Sequence, residues 1–272
     1  MRKSRIYQLR TSGDKSLYIH HFSCLDSTNI EAAKMAKNNA QSWTVVVADE
    51  QTEGKGRYNR QWESTPGLGL YFSIILRPKL EIRYLNLLNL STALTIRDFL
   101  LSYININSPN SRRHIQLKWP NDVLVNQKKI CGVLLKSSII NNKLHYVIVG
   151  IGMNVNHSTD DFSENLKKNA TSLFIETGRK WILEEILENF LSTYVSSFPN
   201  WTDDEISQII DRYEKSLLFR YKNIQIKLHE TVVSGVLKGI DQYGHLCLLS
   251  AGEEKIISSC DLWEVDKNDI SN

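Results

Sequence analysis

The period of apolar and polar positions changes several times along the chain, and each change marks an element. LYIHHF, from Leu17, reads as a strand; after a polar turn, STNIEAAKMAKNN predicts a helix built on Ala32, Ala33, Met35 and Ala36. Thr28 and Glu31 fit a capping box, a hydroxyl at the N-cap and a carboxylate three residues on, so Ser27, Thr28 and Asn29 stand among the free backbone N–H groups of a helix start. WTVVVADEQ is short and β-branched and predicts a strand, and GLGLYFSIILRP predicts another, ended by Pro78. Leu85, Leu88, Ala93, Ile96 and Leu100 recur at helical spacing and predict a core helix. The stretch from IQLKWPND to GIGMNVN reads as a strand meander with turns at Asn126-Gln127 and Asn141-Asn142. Trp181 to Phe198 and Thr202 to Lys215 read as helices. From Leu218 onward, NIQIKL, VVSGVLKGI, HLCLLS and KIISS are short strands between turn residues. The expected class is α+β: a mixed sheet flanked by helices over residues 1–217, then a small, partly closed, SH3-like β-barrel over 218–272.

Composition narrows the function classes. The 272 residues include 42% hydrophobic and 23% charged residues, enough for a core of ordinary size. Lys and Arg number 33 against 30 Asp and Glu, a formal net charge of +3, which is too balanced for a general polyanion binder. Cys24, Cys131, Cys247 and Cys260 form no C-x-x-C pair and no zinc-ligand spacing, as expected of reduced thiols in a cytoplasmic protein. The basic N-terminal residues are not followed by the apolar region of a signal peptide, and no apolar run reaches membrane-spanning length.

Three segments carry candidate chemistry. ADEQTEGKGRYNRQWES joins two predicted strands and holds Gly54, Gly56, Lys55, Arg57 and Arg60. It has neither the Walker A spacing nor the helix and third glycine of a dinucleotide fingerprint. The glycines permit close backbone approach and the cations suit phosphates; a solvated hairpin tip and an anion loop fit the pattern equally. Mutual repulsion of its cations predicts a loop that is mobile without ligand. In LKWPNDVLVNQKKICGVLL, Lys118, Asn121 and Asp122 surround Pro120, and Lys129 returns across a hairpin just before Gly132; a tight turn and a polar site both fit. In VGIGMNVN, Gly150 and Gly152 interrupt a strand ahead of Asn154, marking either a bulge or the close approach of another group. No H-x-x-x-H and no G-x-S-x-G is present, and Cys131 fits a packed hairpin residue better than a nucleophile. Tyr58 and Trp62 suit either stacking on a base or packing in a core.

Taken together, GKGRYNRQW, KWPNDVLVNQKKICGVL and GIGMNVN, with STN at a helix start and DEQ before the loop, resemble the biotin protein ligases over nearly the whole chain. The resemblance implies a two-step reaction: biotin and Mg-ATP (Mg²⁺ being the only metal implied) give biotinyl-5′-AMP and pyrophosphate. The biotinyl group then passes to one lysine of a biotin carboxyl carrier protein or domain, as in acetyl-CoA carboxylase. It implies that Ser27, Thr28, Asn29 and Gln51 hydrogen-bond the biotin head, and that Gly54, Lys55, Gly56 and Arg57 wrap its tail and the phosphates. Lys129 then reaches the carboxylate and α-phosphate, Arg60 adds charge, and Trp62, Asn121 and Asn154 lie on the nucleotide side. Gly132 and Gly152 admit close approach, and Asp122 orients or deprotonates the attacking lysine.

The sequence also departs from that pattern. Many members have Arg at the position of Lys55 and Arg-Gly where this chain has Tyr58-Asn59; Lys keeps the charge but loses the bidentate fork, which bears on how tightly an adenylate is held. A lipoate–protein ligase or octanoyltransferase, with Cys131 beside Lys129, is the nearest alternative, and a nucleic-acid-binding module is the alternative of another class. An exposed sheet edge beside the meander suits a homodimer or the carrier domain. No helix-turn-helix segment precedes the first predicted strand, so no sequence-specific DNA binding is expected; a gel-shift titration with operator-like duplexes should show only salt-sensitive, sequence-independent retention.

Overall fold

In the computed structural model, residues 4–11, 15–107, 114–228, 231–260 and 262–265 are described. Eight strands form the large sheet: β1 (Ser4–Arg10), β2 (Ser16–Leu25), β3 (Thr44–Gln51), β4 (Gly69–Leu76), β5 (Ile115–Lys118), β6 (Asp122–Val125), β7 (Lys128–Ile140) and β8 (Lys143–Asn154). Their order is β1-β2-β3-β4-β8-β7-β6-β5. Only β2 and β3 run parallel, joined by helix α1 (Thr28–Lys37); the other pairs are antiparallel, so the sheet is mixed. Asn126, Gln127, Asn141 and Asn142 all have positive φ, the conformation of the tight hairpin turns that asparagine tolerates.

One face of the sheet packs on α2 (Leu85–Asn107) and α5 (Leu183–Ser196); in chain order, α3 (Glu164–Lys167) and α4 (Leu173–Thr177) precede α5, and α6 (Asp203–Ser216) follows it. Ile186, Leu187, Phe190, Leu191 and Tyr194 form the buried stripe of α5. Phe190 meets Phe72 and Phe99 edge-to-face at 5.7 and 5.4 Å, contacts that add about 0.5–1.5 kcal/mol each beyond area burial. On the opposite face, Ala32 and Ala36 of α1 pack on Val46, Ala48, Ile75 and Ile148. That helix is short and covers only part of its face.

The start of α1 differs from the capping-box expectation. Ser27 is the N-cap, its side chain makes no capping hydrogen bond, and Glu31 pairs with Lys34. The Thr28 hydroxyl is drawn instead toward Gln51 on β3, because a neighbouring strand offers a fixed acceptor where the helix offers only its own first turn. A true capping box occurs at Thr202 and Glu205 of α6. Strand β1, unforeseen in the sequence, is mostly exposed at the sheet edge and so carries little apolar signal.

The C-terminal strands β9 (Asn223–Leu228), β10 (Thr231–Ile240), β11 (Leu246–Ser250), β12 (Glu253–Ile257) and β13 (Leu262–Val265) form an antiparallel sheet in the order β12-β11-β10-β9-β13. The expected barrel is not closed: β12 and β13 remain its two edges. This sheet does not stand apart from the large one. Ile224, Ile226, Leu237 and Leu248 share a core cluster with α2 and the meander. Trp119, 1% exposed, donates its Nε1–H to the Gly244 carbonyl at 2.9 Å, and the Leu218 N–H donates to the Leu117 carbonyl. Trp119→Phe should therefore lower stability by about 1–3 kcal/mol, since the Gly244 carbonyl loses a buried donor; urea unfolding measures it, and an unchanged midpoint would refute the coupling.

Candidate active site

The uncovered part of the α1 face holds a cleft of about 550 Å³. Its floor is made by glycine. Gly132 on β7 pairs directly with Gly152 on β8, and Gly150 lies two residues back on the same face. A Cβ on Gly150 would stand 2.3 Å from Asn29 Oδ1, and one on Gly152 would stand 2.5 Å from the Trp62 ring. The group that approaches these glycines most closely is thus the chain's own indole and amide.

At one end lies a polar recess. Ser27, Thr28 and Asn29 are buried at the start of α1. The Thr28 N–H donates to Gln51 Oε1 at 2.9 Å, with the Thr28 hydroxyl 3.2 Å from the same oxygen, and Gln51 Nε2 donates to Ser64 Oγ at 3.2 Å. Asn29 Nδ2 donates to the Leu134 carbonyl at 3.2 Å. Ser73 Oγ lies 2.8 Å from Thr28 Oγ1 and 2.7 Å from Asn29 Oδ1. Ser73 was not anticipated, although a lone serine in the otherwise apolar, fully buried GLYFSIIL strand is the signal that could have found it.

The basic loop between β3 and β4 closes one wall as a small hairpin. Lys55 bridges Gln61, the Gly56 N–H donates to the Arg60 carbonyl at 2.7 Å, and Arg57–Asn59 form a single tight turn. Lys55, Gly56, Arg57, Arg60 and Trp62 line the cleft; Gly54 lies beneath it, accepting the Trp62 N–H through its carbonyl at 2.9 Å. Neighbouring side chains contact two of its cations. Lys55 Nζ is 4.0 Å from Glu53, and Arg57 Nη2 donates to the Tyr58 and Ser259 hydroxyls at 3.1 Å each.

On the opposite wall, Asp122 of β6 pairs with Gly132, and a register shift after Val123 brings Lys129 onto the same patch. Lys129 Nζ is 2.6 Å from Asp122 Oδ1 and 5.1 Å from the Trp62 ring centroid, and it folds back over Gly132. The sequence-predicted residues Asn121 and Asn154 line the cleft but spend their amides on backbone. Asn121 Nδ2 donates to the Val133 carbonyl at 3.1 Å, and Asn154 Nδ2 to the Thr171 carbonyl at 3.0 Å. The Thr171 N–H in turn donates to the Lys129 carbonyl, so Asn154 helps fix the strand that carries the lysine. Cys131, beside Lys129 in sequence, points away from the cleft: it is fully buried, and burial pushes its thiol far above the usual range. Among the described residues no group of three or more His, Cys, Asp or Glu side chains is gathered as a metal site, and no helix is long and apolar enough to cross a membrane.

His157 completes the far wall, stacked on Phe162 at 5.0 Å and 10°, with Nδ1 buried and unpartnered. Burial pushes its pKa down, against the opposing charges of Asp161 and Glu63. The imidazole is therefore neutral when folded, and below about pH 6.5 the unfolded chain binds the extra proton, so stability falls as pH falls. His157→Gln should flatten the loss of melting temperature between pH 7.5 and 5.5; parallel pH profiles for the two proteins would contradict this.

The Biotin/lipoate A/B protein ligase family model matches residues 21–154, the span from β2 through β8 that builds the cleft. The bifunctional ligase/repressor BirA of Bacillus subtilis (strain 168) is 33% identical over 242 residues, covering 89% of this chain and 72% of its own length. The biotin–[acetyl-CoA-carboxylase] ligase of Paracoccus denitrificans is 30% identical over 250 residues, covering 88% and 97%. The biotin protein ligase of Aquifex aeolicus, solved with biotin and ATP, superposes with a TM-score of 0.75 at 30% identity, covering 91% of this chain and 99% of that one. Fold, cleft and sequence agree, and the chain belongs to the biotin protein ligase family.

Proposed function

We propose that this chain is an ATP-dependent biotin–protein ligase, with residues 1–217 carrying the catalytic cleft and 218–272 forming the C-terminal part. One observation carries the reading: a single cleft joins the Thr28–Gln51–Asn29 recess to walls that present Lys55, Arg57, Arg60 and Lys129. A small neutral head rich in hydrogen bonds suits the recess, and a carboxylate meeting a triphosphate suits the cations.

The first step needs little acid–base help. Biotin's carboxylate is ionised at neutral pH, so a carboxylate oxygen attacks the α-phosphorus directly and pyrophosphate leaves. The barrier is repulsion between two anions, which Lys129 from one wall and Arg57 from the other offset while charge spreads over the phosphoryl oxygens. Mg²⁺ enters as the counter-ion of the triphosphate. Lys129 is aimed by its contact with Asp122, and its transfer to the substrate anion frees that carboxylate.

The second step needs a neutral amine, whereas a free lysine has a pKa of about 10.4. Asp122 is the group placed to accept or orient the carrier lysine's proton as the amine attacks the mixed anhydride and AMP leaves. The acceptor is the carrier domain of a biotin-dependent carboxylase, in keeping with the names of the Paracoccus relative and of a Mycobacterium tuberculosis relative. The buried thiol of Cys131 weighs against an octanoyltransferase, which would need an accessible nucleophile.

Biotin-dependent exchange of labelled pyrophosphate into ATP tests the reading, with lipoate and octanoate as parallel substrates. Exchange with biotin alone is expected; exchange with lipoate alone would move the chain to the lipoate branch. Asp122→Asn should slow transfer from preformed adenylate by about 100-fold while slowing exchange far less; equal slowing of the two steps would remove Asp122 from the second.

A further inference from the structure

The tip of the basic loop is tied to the segment between β12 and β13 by groups that are two hundred residues away in sequence. Tyr58 sits at φ 53° and ψ 37°, the left-handed region that a bulky side chain rarely adopts. Such a conformation persists only where something holds it, and three contacts of the Tyr58 hydroxyl do. The Tyr58 hydroxyl donates to the Cys260 carbonyl at 2.8 Å and lies 2.6 Å from Ser259 Oγ. Arg57 Nη2 donates to both hydroxyls at 3.1 Å. The donors and acceptors balance: Tyr58 gives its one hydrogen to Cys260 and accepts from Ser259 and Arg57, while Ser259 gives its hydrogen to Tyr58 and accepts from Arg57. Nη2 is thereby engaged by the two hydroxyls, and Arg57 also lines the cleft.

We propose that Tyr58 and Ser259 are positioning residues, forming a latch that fixes the Arg57 guanidinium over the cleft and slows escape of the acyl-adenylate. The inference rests on the ligase reading for the identity of the ligand, while the latch contacts themselves are all made within the chain. It also gives a physical role to the Tyr58-Asn59 departure. With lysine at position 55 supplying a point charge and no bidentate fork, retention passes to an arginine whose orientation the C-terminal sheet sets. Because Tyr58 and Ser259 are exposed, each link has the modest net worth of a solvent-accessible hydrogen bond.

Two measurements test this on the full chain. Trypsin should cut the Arg57–Tyr58 bond of the ligand-free protein slowly, and about five- to tenfold faster in Tyr58→Phe and in Ser259→Ala, the worth of about one net hydrogen bond. Mass spectrometry of the fragment beginning at Tyr58 follows it. Dissociation of preformed biotinyl-5′-AMP, followed by intrinsic tryptophan fluorescence, should accelerate by a similar factor in each variant. The double variant should dissociate no faster than the faster single variant, because either change opens the same latch, and Ser259→Thr, which keeps the hydroxyl, should restore the slow rate. A merely structural role would change melting temperature without this non-additivity. Additive effects, or unchanged cleavage and dissociation, would overturn the latch. If the parent protein forms no adenylate, the ligase reading fails and the trypsin arm decides the latch alone. Ser259 is exposed, so its variant keeps the test valid should Tyr58→Phe fold poorly.

Discussion

The site depends on a patch of sheet without side chains. Gly132, Gly150 and Gly152 lie together on one face of β7 and β8, where Asn29, Trp62 and Lys129 rest on bare backbone. On any other strand pair, alternating side chains would occupy that space. Here the same face carries Tyr146 and Ile148 under α1 and then switches to glycine at the point where the helix begins. One strand thus builds a core in its first half and a binding floor in its second. The helix start supplies the recess because it ends at that boundary.

The charges are arranged so that none waits unaccompanied near the others. Lys129 leans on Asp122, Lys55 on Glu53, and Arg57 on two hydroxyls. These partners are weak enough, at half-exposed positions, to be exchanged for a phosphate or carboxylate. They are also strong enough to keep the side chains near where the anion arrives.

The C-terminal sheet is part of the same physical unit. It shares core with α2 and the meander, its β10–β11 turn receives the Trp119 indole at Gly244, and the segment after β12 meets the loop tip at Ser259 and Cys260. A few hydrogen bonds thus join the tight Arg57–Asn59 turn to the C-terminal part of the chain.

Local periodicity determined the mixed sheet, the helix at residue 28, the long core helix and the two asparagine turns, because each rests on the spacing of a few neighbouring residues. Spacing alone left the loop at 54–62, the hairpin at 118–132 and the glycines before Asn154 open between structural and functional readings, and the fold brings all three to one cleft. What the sequence left open is which partner each polar group finds. Thr28 bonds a strand instead of capping its helix, and Asn154 braces backbone. Trp62 fills the space above the glycines, Ser73 joins the recess, and Tyr58 reaches Cys260. Those choices are made between residues tens to hundreds apart, where side-chain reach and burial decide, and no local pattern encodes them. Tertiary structure decided them, and with them how the cleft holds its charge.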